Sequence, residues 1–283
     1  MHRIENLHVI TKAAKKANLI LIGGQAINTW STVFHDDELN PWKTLHPYTS
    51  EDIDFFGERN VLDSFIEALK ENGATVEVFL PTKKEEYALN IAALRVKFDK
   101  EEIEINLMPA VTQLNSQEIM ETALLTSEET PLALHPLLCV ESKLVSLLTM
   151  YQGTRQDEKH LRLAIANMNS YFSNEFKSSR NLKILESFTD RIFDAATSSM
   201  GITAYSKYRI DLFAAVPIKL IEEKQITSIL EKYNFHKANR DKVAKSAEEL
   251  EAWMAKERPH PLKEFKLPGA SSLYPNLPSE PGI

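Results

Sequence analysis

Cysteine is nearly absent from this chain of 283 residues, which contains Cys139 and no other cysteine. A single thiol excludes an intrachain disulfide and a zinc site built from cysteines. Cys139 lies within the apolar run Leu137-Leu138-Cys139-Val140. Such surroundings predict a buried structural thiol and not a reactive one.

Long apolar runs are also missing from the sequence. No segment approaches the roughly 20 consecutive apolar residues that a membrane-spanning helix needs. The first residues, Met1-His2-Arg3-Ile4-Glu5-Asn6, include an acid and are not followed by the apolar stretch of a secretory signal. We therefore expect a cytoplasmic protein without a membrane partner.

The chain has no excess of basic residues, and its formal net charge is −7. Proteins that hold long nucleic acids usually carry an electropositive footprint, because phosphate contacts supply most of the affinity. The acidic balance therefore argues against strong non-specific DNA binding and favours a small or localised substrate.

Several common catalytic motifs are absent as well. The sequence contains neither GxxxxGK[ST] nor GxGxxG, so it gives no support to a P-loop or a Rossmann dinucleotide site. Its histidines are scattered and form neither an HExxH motif nor a Ser/His/Asp arrangement. The sequence thus gives no support to any of these common catalytic sites.

The first 110 residues alternate between helical and strand patterns. Apolar spacing near 3.6 predicts helices over residues 3–18, 25–34 and 60–73, with Asn60 as the cap of the third. Short apolar or alternating runs predict strands over residues 19–22, 52–56, 75–79, 91–98 and 102–107. Asp99-Lys100 joins the last two strands in a tight hairpin. This order predicts an α+β fold with a mixed sheet flanked by helices.

Helical patterns alone follow residue 110, which predicts an all-helical C-terminal region. The predicted helices cover residues 136–150, 157–172, 182–197, 217–233 and 240–256. Prolines then become frequent, and this predicts an extended tail. We expect a catalytic domain over residues 1–115, a helical domain over 116–258 and the proline-rich tail over 259–283.

The chemistry-bearing residues begin with two glycines and two aspartates. Gly23-Gly24 separates a buried strand from a helix, and Asp52 and Asp54 lie on the next strand. Residues two apart on a strand project from the same face, so the two carboxylates lie side by side. Like charges at that distance repel each other unless a cation holds them, and paired oxygen ligands suit Mg²⁺. The glycines let a phosphate approach the backbone at the start of a helix.

A third acid, Glu104, alternates with Ile103 and Ile105 on a later strand. If that strand neighbours the Asp52–Asp54 strand, Glu104 joins the two aspartates. Three carboxylates can hold two metal ions, one that activates an attacking hydroxyl and one that binds the leaving pyrophosphate. We expect two Mg²⁺ ions, with Mn²⁺ as a substitute.

These segments resemble a known family. Leu21-Ile22-Gly23-Gly24-Gln25-Ala26 and Thr49-Ser50-Glu51-Asp52-Ile53-Asp54-Phe55-Phe56 are similar to the signature of polymerase-β-type nucleotidyltransferases, and most similar to the abortive-infection (AbiEii-like) toxin group. The resemblance covers roughly residues 19–108. It implies a nucleotidyltransferase-like fold and the transfer of a nucleoside monophosphate from an NTP to an acceptor.

The resemblance also implies roles for individual residues. Asp52, Asp54 and Glu104 would be the catalytic and metal-binding acids. The residues that would contact the nucleotide are Gly23, Gly24, Gln25, Ser50, Lys143 and Arg155. Lys143 and Arg155 come from a weaker continuation of the pattern, in which His160 stands where the relatives have an aspartate.

The acceptor stays open at this point. The resemblance allows an RNA end, a protein hydroxyl or a small molecule such as an aminoglycoside, and the toxin group implies an antitoxin protein as partner. The link between Gly24 and Asp52 is longer than in the relatives, and residues 35–48 are a surface insertion that either shapes acceptor choice or is inert. Two other functions remain: a non-catalytic nucleotide-binding or regulatory protein, and a metal-dependent phosphohydrolase.

Overall fold

The computed structural model describes residues 4–34, 52–81, 90–99, 101–150, 155–178 and 182–257. These residues form an α+β fold with one mixed sheet of seven strands, followed by helices. The strands are β1 (Ile20–Ile22), β2 (Asp52–Phe56), β3 (Thr75–Phe79), β4 (Ala92–Phe98), β5 (Glu101–Met108), β6 (Leu124–Leu125) and β7 (Leu132–Ala133).

Helices alternate with the strands along the first part of the chain, and after β7 the described residues form helices. Those among and just after the first five strands are α1 (Ile4–Lys16), α2 (Gly23–Val33), α3 (Leu62–Glu71) and α4 (Ser116–Thr122). Those of the C-terminal part are α5 (Pro136–Thr149), α6 (Asp157–Lys177), α7 (Leu182–Thr197), α8 (Ser199–Tyr208), α9 (Ile218–Glu223) and α10 (Thr227–Glu257).

The sheet has the strand order β3-β4-β5-β2-β1-β7-β6. The pairs β2–β5 and β1–β7 are parallel, and the remaining neighbours are antiparallel. Strand β2 therefore lies between β1 and β5, so that residues from three separate segments meet at its two edges.

The two faces of the sheet differ because apolar and polar residues alternate along the central strands. One face is buried and contributes Ile53, Phe55, Ile103, Ile105 and Leu107 to the core. Helix α3 packs against it, with the rings of Phe55 and Phe65 in edge-to-face contact at 5.7 Å between centroids. The other face carries the polar residues of β2 and β5.

Helix α2 is tied by hydrogen bonds to the residue that follows β7 and to helix α6. Trp30 on α2 donates its indole N–H to the carbonyl oxygen of Leu134, at 2.8 Å. The amide nitrogen of Asn167 on α6 donates to the carbonyl oxygen of Ile27 at 3.0 Å. Helix α2 is thus held from both sides, which fixes where its first residues lie relative to β2.

The predicted α+β fold with a mixed sheet is confirmed, but the prediction of helices alone after residue 110 is wrong. The short strands β6 and β7 lie there and extend the sheet, because β7 pairs with β1 and β6 pairs with β7. A strand of two residues is too short to show an alternating pattern in the sequence.

Other differences lie at particular points. The predicted Asn60 cap is wrong, because Asn60 lies inside a short 3-10 helix that precedes α3. The predicted helices over 217–233 and 240–256 are also wrong, because the break between the two helices lies near residue 225 and not between 233 and 240. Gln225 adopts a left-handed φ of 55° and separates α9 from α10, whereas no glycine or proline interrupts the chain between 233 and 240.

The chain divides into two compact units, residues 1–244 and 245–283. The seven-stranded sheet and helices α1 to α9 belong to the first unit. The predicted subdivision of this unit near residue 115 stays a prediction. Within the described ranges, no helix has both the length and the apolar character that a membrane crossing requires.

Candidate functional site

Asp52 and Asp54 project from the polar face of β2, on either side of the buried Ile53. Both aspartates are half-buried. Their positions follow from the two-residue period of a strand, which directs Ile53 into the core and both carboxylates away from it. The predicted pair of neighbouring carboxylates is confirmed.

Asp54 lies directly against Gly23, the first residue of α2. Gly23 has a φ of 65°, and an ideal Cβ atom built on it would lie 2.3 Å from Oδ2 of Asp54. Such contact is possible only because glycine has no side chain. The carboxylate of Asp54 therefore meets the start of a helix, where unpaired N–H groups and the helix dipole favour negative charge.

The second oxygen of Asp54 is engaged by an amide that sequence reasoning did not select. Asn106 on β5 donates from Nδ2 to Oδ1 of Asp54 at 3.1 Å, and Asn90 donates to Oδ1 of Asn106 at 3.0 Å. The register explains this contact, because Asn106 is the residue directly opposite Asp54 in the β2–β5 pair. The alternating pattern of β5 was the available signal, since it puts Asn106 on the same face as Glu104.

Glu104 lies opposite Asp52 in the same parallel pair, and therefore on the predicted face. Its side chain is 69% exposed, and one carboxylate oxygen lies 3.9 Å from the guanidinium of Arg95 on the neighbouring strand β4. The described residues contain no group of three or more acidic, histidine or cysteine side chains arranged to hold a metal ion. The face of the sheet is thus as expected, but Glu104 is not gathered with the two aspartates into such a group.

The ionised form of Asp54 is disfavoured in this environment. Burial raises the pKa of its carboxyl, and the negative charge of Asp52 raises it further. The hydrogen bond from Asn106 and the positive charges of Lys143 and Arg155 act in the opposite direction, but the net shift of the pKa is upward. A cation held between the two carboxylates would reverse this balance.

Lys143 and Arg155 meet at a third aspartate, Asp157. Nζ of Lys143 donates to Oδ1 of Asp157 at 2.9 Å, and the guanidinium of Arg155 donates to both carboxylate oxygens. Asp157 and Lys143 are buried, whereas 41% of the Arg155 side chain is exposed. The two predicted nucleotide contacts are thus brought together, and Arg155 is the more accessible of them.

The charge on Asp157 is strongly stabilised by its partners. Burial alone would raise the pKa of Asp157, but the hydrogen bond from Arg155 and the charge of Lys143 outweigh it and lower the pKa to about 2. Asp157 begins α6, where a negative charge also suits the helix dipole. Three positions after Asp157, His160 is buried beside these charges, and burial together with Lys143 lowers its pKa to about 4.

Three predicted nucleotide-contacting residues, Gly24, Gln25 and Ser50, and the single cysteine remain to be placed. Gly24 is buried in the first turn of α2, and Gln25 follows it with its carbonyl oxygen accepting from Thr29. Ser50 and the predicted insertion at residues 35–48 lie outside the described residues. Cys139 is buried as predicted, and burial raises the pKa of its thiol to about 12.

Glu141 stands two residues before Lys143 on α5 but belongs to a separate cluster of ion pairs. Arg191 on α7 donates to both carboxylate oxygens of Glu141, at 3.0 and 2.6 Å, and also pairs with Glu118 on α4. A bidentate pair of this kind joins three helices and fixes their orientation. Glu141 therefore has a structural partner away from the aspartate pair.

The polar face of β2 carries the carboxylates of Asp52 and Asp54, and Gly23 at the start of α2 lies against it. The positively charged side chains of Lys143 and Arg155, which Asp157 anchors, act on the charge of Asp54. This combination can hold a cation at the aspartates and receive an anionic group beside it. In comparisons with known proteins, no family model matches the chain, and no curated protein matches it.

Proposed function

We propose that this chain is an Mg²⁺-dependent nucleotidyltransferase that moves a nucleoside monophosphate from an NTP to an acceptor hydroxyl or phosphate. The observation that carries the proposal is the contact of Asp54 with Gly23 at the start of α2, with Asp52 on the same face. It joins a carboxylate pair to a helix N-terminus where a phosphate can approach.

The donor set fits a magnesium ion. Asp52 and Asp54 offer hard oxygen ligands from one side only, and Mg²⁺ commonly takes one or two carboxylates and completes its shell with water and substrate phosphates. The raised pKa of Asp54 supports the fit, because a buried carboxylate beside a second one is stabilised by a cation. When bound, Mg²⁺ or Mn²⁺ neutralises charge on the transferring phosphoryl group.

The chain's own residues would divide the remaining work. Gly23 has no side chain, so the Asp54 carboxylate reaches the α2 start, and a phosphate held by the cation would lie beside this helix N-terminus. Arg155 contributes a partly exposed guanidinium anchored by Asp157. In the transfer, the acceptor oxygen bonds to the α-phosphorus, the bond to the β-phosphate oxygen breaks, and pyrophosphate leaves. Catalysis of this kind depends on positioning and on charge stabilisation.

The deciding experiment incubates the full chain with each of the four α-labelled NTPs and Mg²⁺, against total RNA, lysate protein and aminoglycosides. Transfer of label to one acceptor class, with release of pyrophosphate, is the expected result. The Asp54→Asn variant should reduce the transfer about a hundredfold or more. Asp99→Asn, at an exposed hairpin position, is the matched control. Release of orthophosphate without labelled acceptor would instead identify a phosphohydrolase.

A second candidate is a non-catalytic nucleotide-binding or regulatory protein with the same fold. The exposure of Glu104 and its contact with Arg95 favour it, because the two-ion arrangement needs a third acid beside the aspartates. Its signature would be NTP binding without transfer to any acceptor. The toxin activity and the antitoxin partner stay predictions.

A further inference from the structure

Two asparagine side chains form a hydrogen-bonded series, called the amide chain below, that ends on Asp54. Asn90 donates to Oδ1 of Asn106 at 3.0 Å, and Nδ2 of Asn106 donates to Oδ1 of Asp54 at 3.1 Å. Donor and acceptor assignments are consistent along this chain, because each amide oxygen accepts and each amide nitrogen donates. Asn106 lies opposite Asp54 in the parallel pair of β5 and β2, so backbone pairing fixes its distance.

The amide chain and Gly23 hold Asp54 from two sides. Oδ1 is bound by Asn106, and Oδ2 lies within 2.3 Å of where a Cβ atom on Gly23 would be. The contacts with Asn106 and Gly23 therefore set the orientation of the Asp54 carboxylate. An amide achieves this without adding negative charge, whereas a carboxylate in the place of Asn106 would repel Asp54 in the ion-free protein.

We propose that Asn106, supported by Asn90, is a positioning residue that orients the Asp54 carboxylate for a divalent cation. The inference deepens the proposed function and rests on it for the nature of the ion. Hydrogen-bonding partners of metal ligands commonly affect ion affinity strongly, because they determine the direction of the ligand oxygens. Asn106 touches Asp54 and is not itself assigned as a ligand.

The first test measures Mn²⁺ binding by electron paramagnetic resonance on the full chain without nucleotide. Asn106→Ala should weaken Mn²⁺ binding by about 10- to 100-fold. Asn90→Ala should act in the same direction but less strongly, because Asn106 would keep its bond to Asp54. Asn174→Ala, which removes an exposed amide on α6, is the matched control and should bind Mn²⁺ as the wild-type chain does.

A second variant tests whether position 106 faces the ion. Asn106→Asp should melt at a lower temperature than the wild-type chain without metal, because three carboxylates then repel one another. Added Mn²⁺ or Mg²⁺ should raise its melting temperature by more than it raises that of the wild-type chain, since binding stabilises the folded state by linkage. A general packing defect would lower the melting temperature without this selective recovery.

The outcomes separate the inference from the proposed function. Unchanged Mn²⁺ affinity in both Asn106 variants, or no Mn²⁺ binding by the wild-type chain, would overturn the positioning role. Mn²⁺ binding that depends on Asn106, in a chain that transfers no nucleotide, would sustain the positioning role and overturn the proposed function. Nucleotide transfer that Asn106→Ala leaves intact would do the reverse.

Discussion

An ideal Cβ atom on Gly23 would lie 2.3 Å from Oδ2 of Asp54, so the two residues can be neighbours only while position 23 is glycine. Gly23 also has a φ of 65°, in the region that residues with a side chain rarely adopt. Both requirements arise where a strand ends and α2 begins. Gly23 thus allows both the left-handed backbone of the turn and the close approach of the Asp54 carboxylate.

The Gly23→Ala variant should therefore lose both stability and function. The left-handed backbone costs roughly 1–2 kcal/mol in the free energy of unfolding, and the methyl group must displace the Asp54 carboxylate. We expect Mn²⁺ binding and nucleotide transfer to fall to near background. Denaturant unfolding and the transfer assay measure the two effects separately.

Gly73→Ala is the control for this variant. Gly73 has a φ of 83°, and a Cβ atom there would meet nothing within 4 Å. It should show a similar loss of stability with normal transfer activity. Equal activity in the Gly23 and Gly73 variants would mean that the contact with Asp54 has no functional importance.

Asp54→Asn separates chemistry from folding. The asparagine keeps the size of the side chain and an oxygen that accepts from Asn106, but it loses the charge. We expect turnover to fall about a hundredfold or more, on the order of 3 kcal/mol in the activation barrier. The melting temperature should stay equal or rise, because burial and Asp52 both disfavour the ionised carboxylate. Full transfer activity in this variant would show that the aspartate pair is structural.

Lys143→Ala tests a buried lysine predicted to contact the triphosphate. Its removal takes one partner from the buried Asp157, so the free energy of unfolding should fall by roughly 1–3 kcal/mol. If Lys143 also binds the nucleotide, the KM for NTP should rise more than kcat falls. Lys183→Ala, at an exposed position on α7, should change neither. Unchanged KM with normal stability would contradict both roles.

The stability of the chain should depend on Asp157 in acid. The pKa of Asp157 is about 2 in the folded protein, below its ordinary value of 3.8, so the unfolded chain binds more protons between these two pH values. Stability therefore falls as the pH decreases from about 4 to about 2, by on the order of 2 kcal/mol. In Asp157→Asn this dependence should disappear. Denaturant unfolding of both proteins from pH 2 to pH 7 measures it, and parallel curves would refute the assignment.

The features of this chain that depend on local spacing are predictable from its sequence. The alternation around Ile53 predicts that Asp52 and Asp54 share a face, and the structure confirms it. Most helices and strands were likewise predicted, because their apolar periods are set by each segment alone. The division of the last helices was missed because a left-handed residue such as Gln225 leaves no clear mark in the sequence.

The site was only partly predictable for the same reason. Glu104 and Asn106 alternate on one strand, and nothing in the sequence says which of them lies beside Asp54. The register of β5 against β2 decides that it is Asn106. Asp157 stands three positions before His160 in the sequence, but its pairing with Lys143 requires α5 and α6 to be packed together.

The sequence by itself determined the α+β order, the two-faced central strands and the pair of aspartates after a glycine turn, because each depends on spacing along the chain. Only the tertiary structure decided which side chains complete the surroundings of Asp54. Those contacts come from strand register and helix packing, which bring Gly23, Asn106 and the Asp157 ion pairs together over long separations in sequence. Hydrogen bonds and charge act over a few ångströms in space, and the folded chain alone sets those distances.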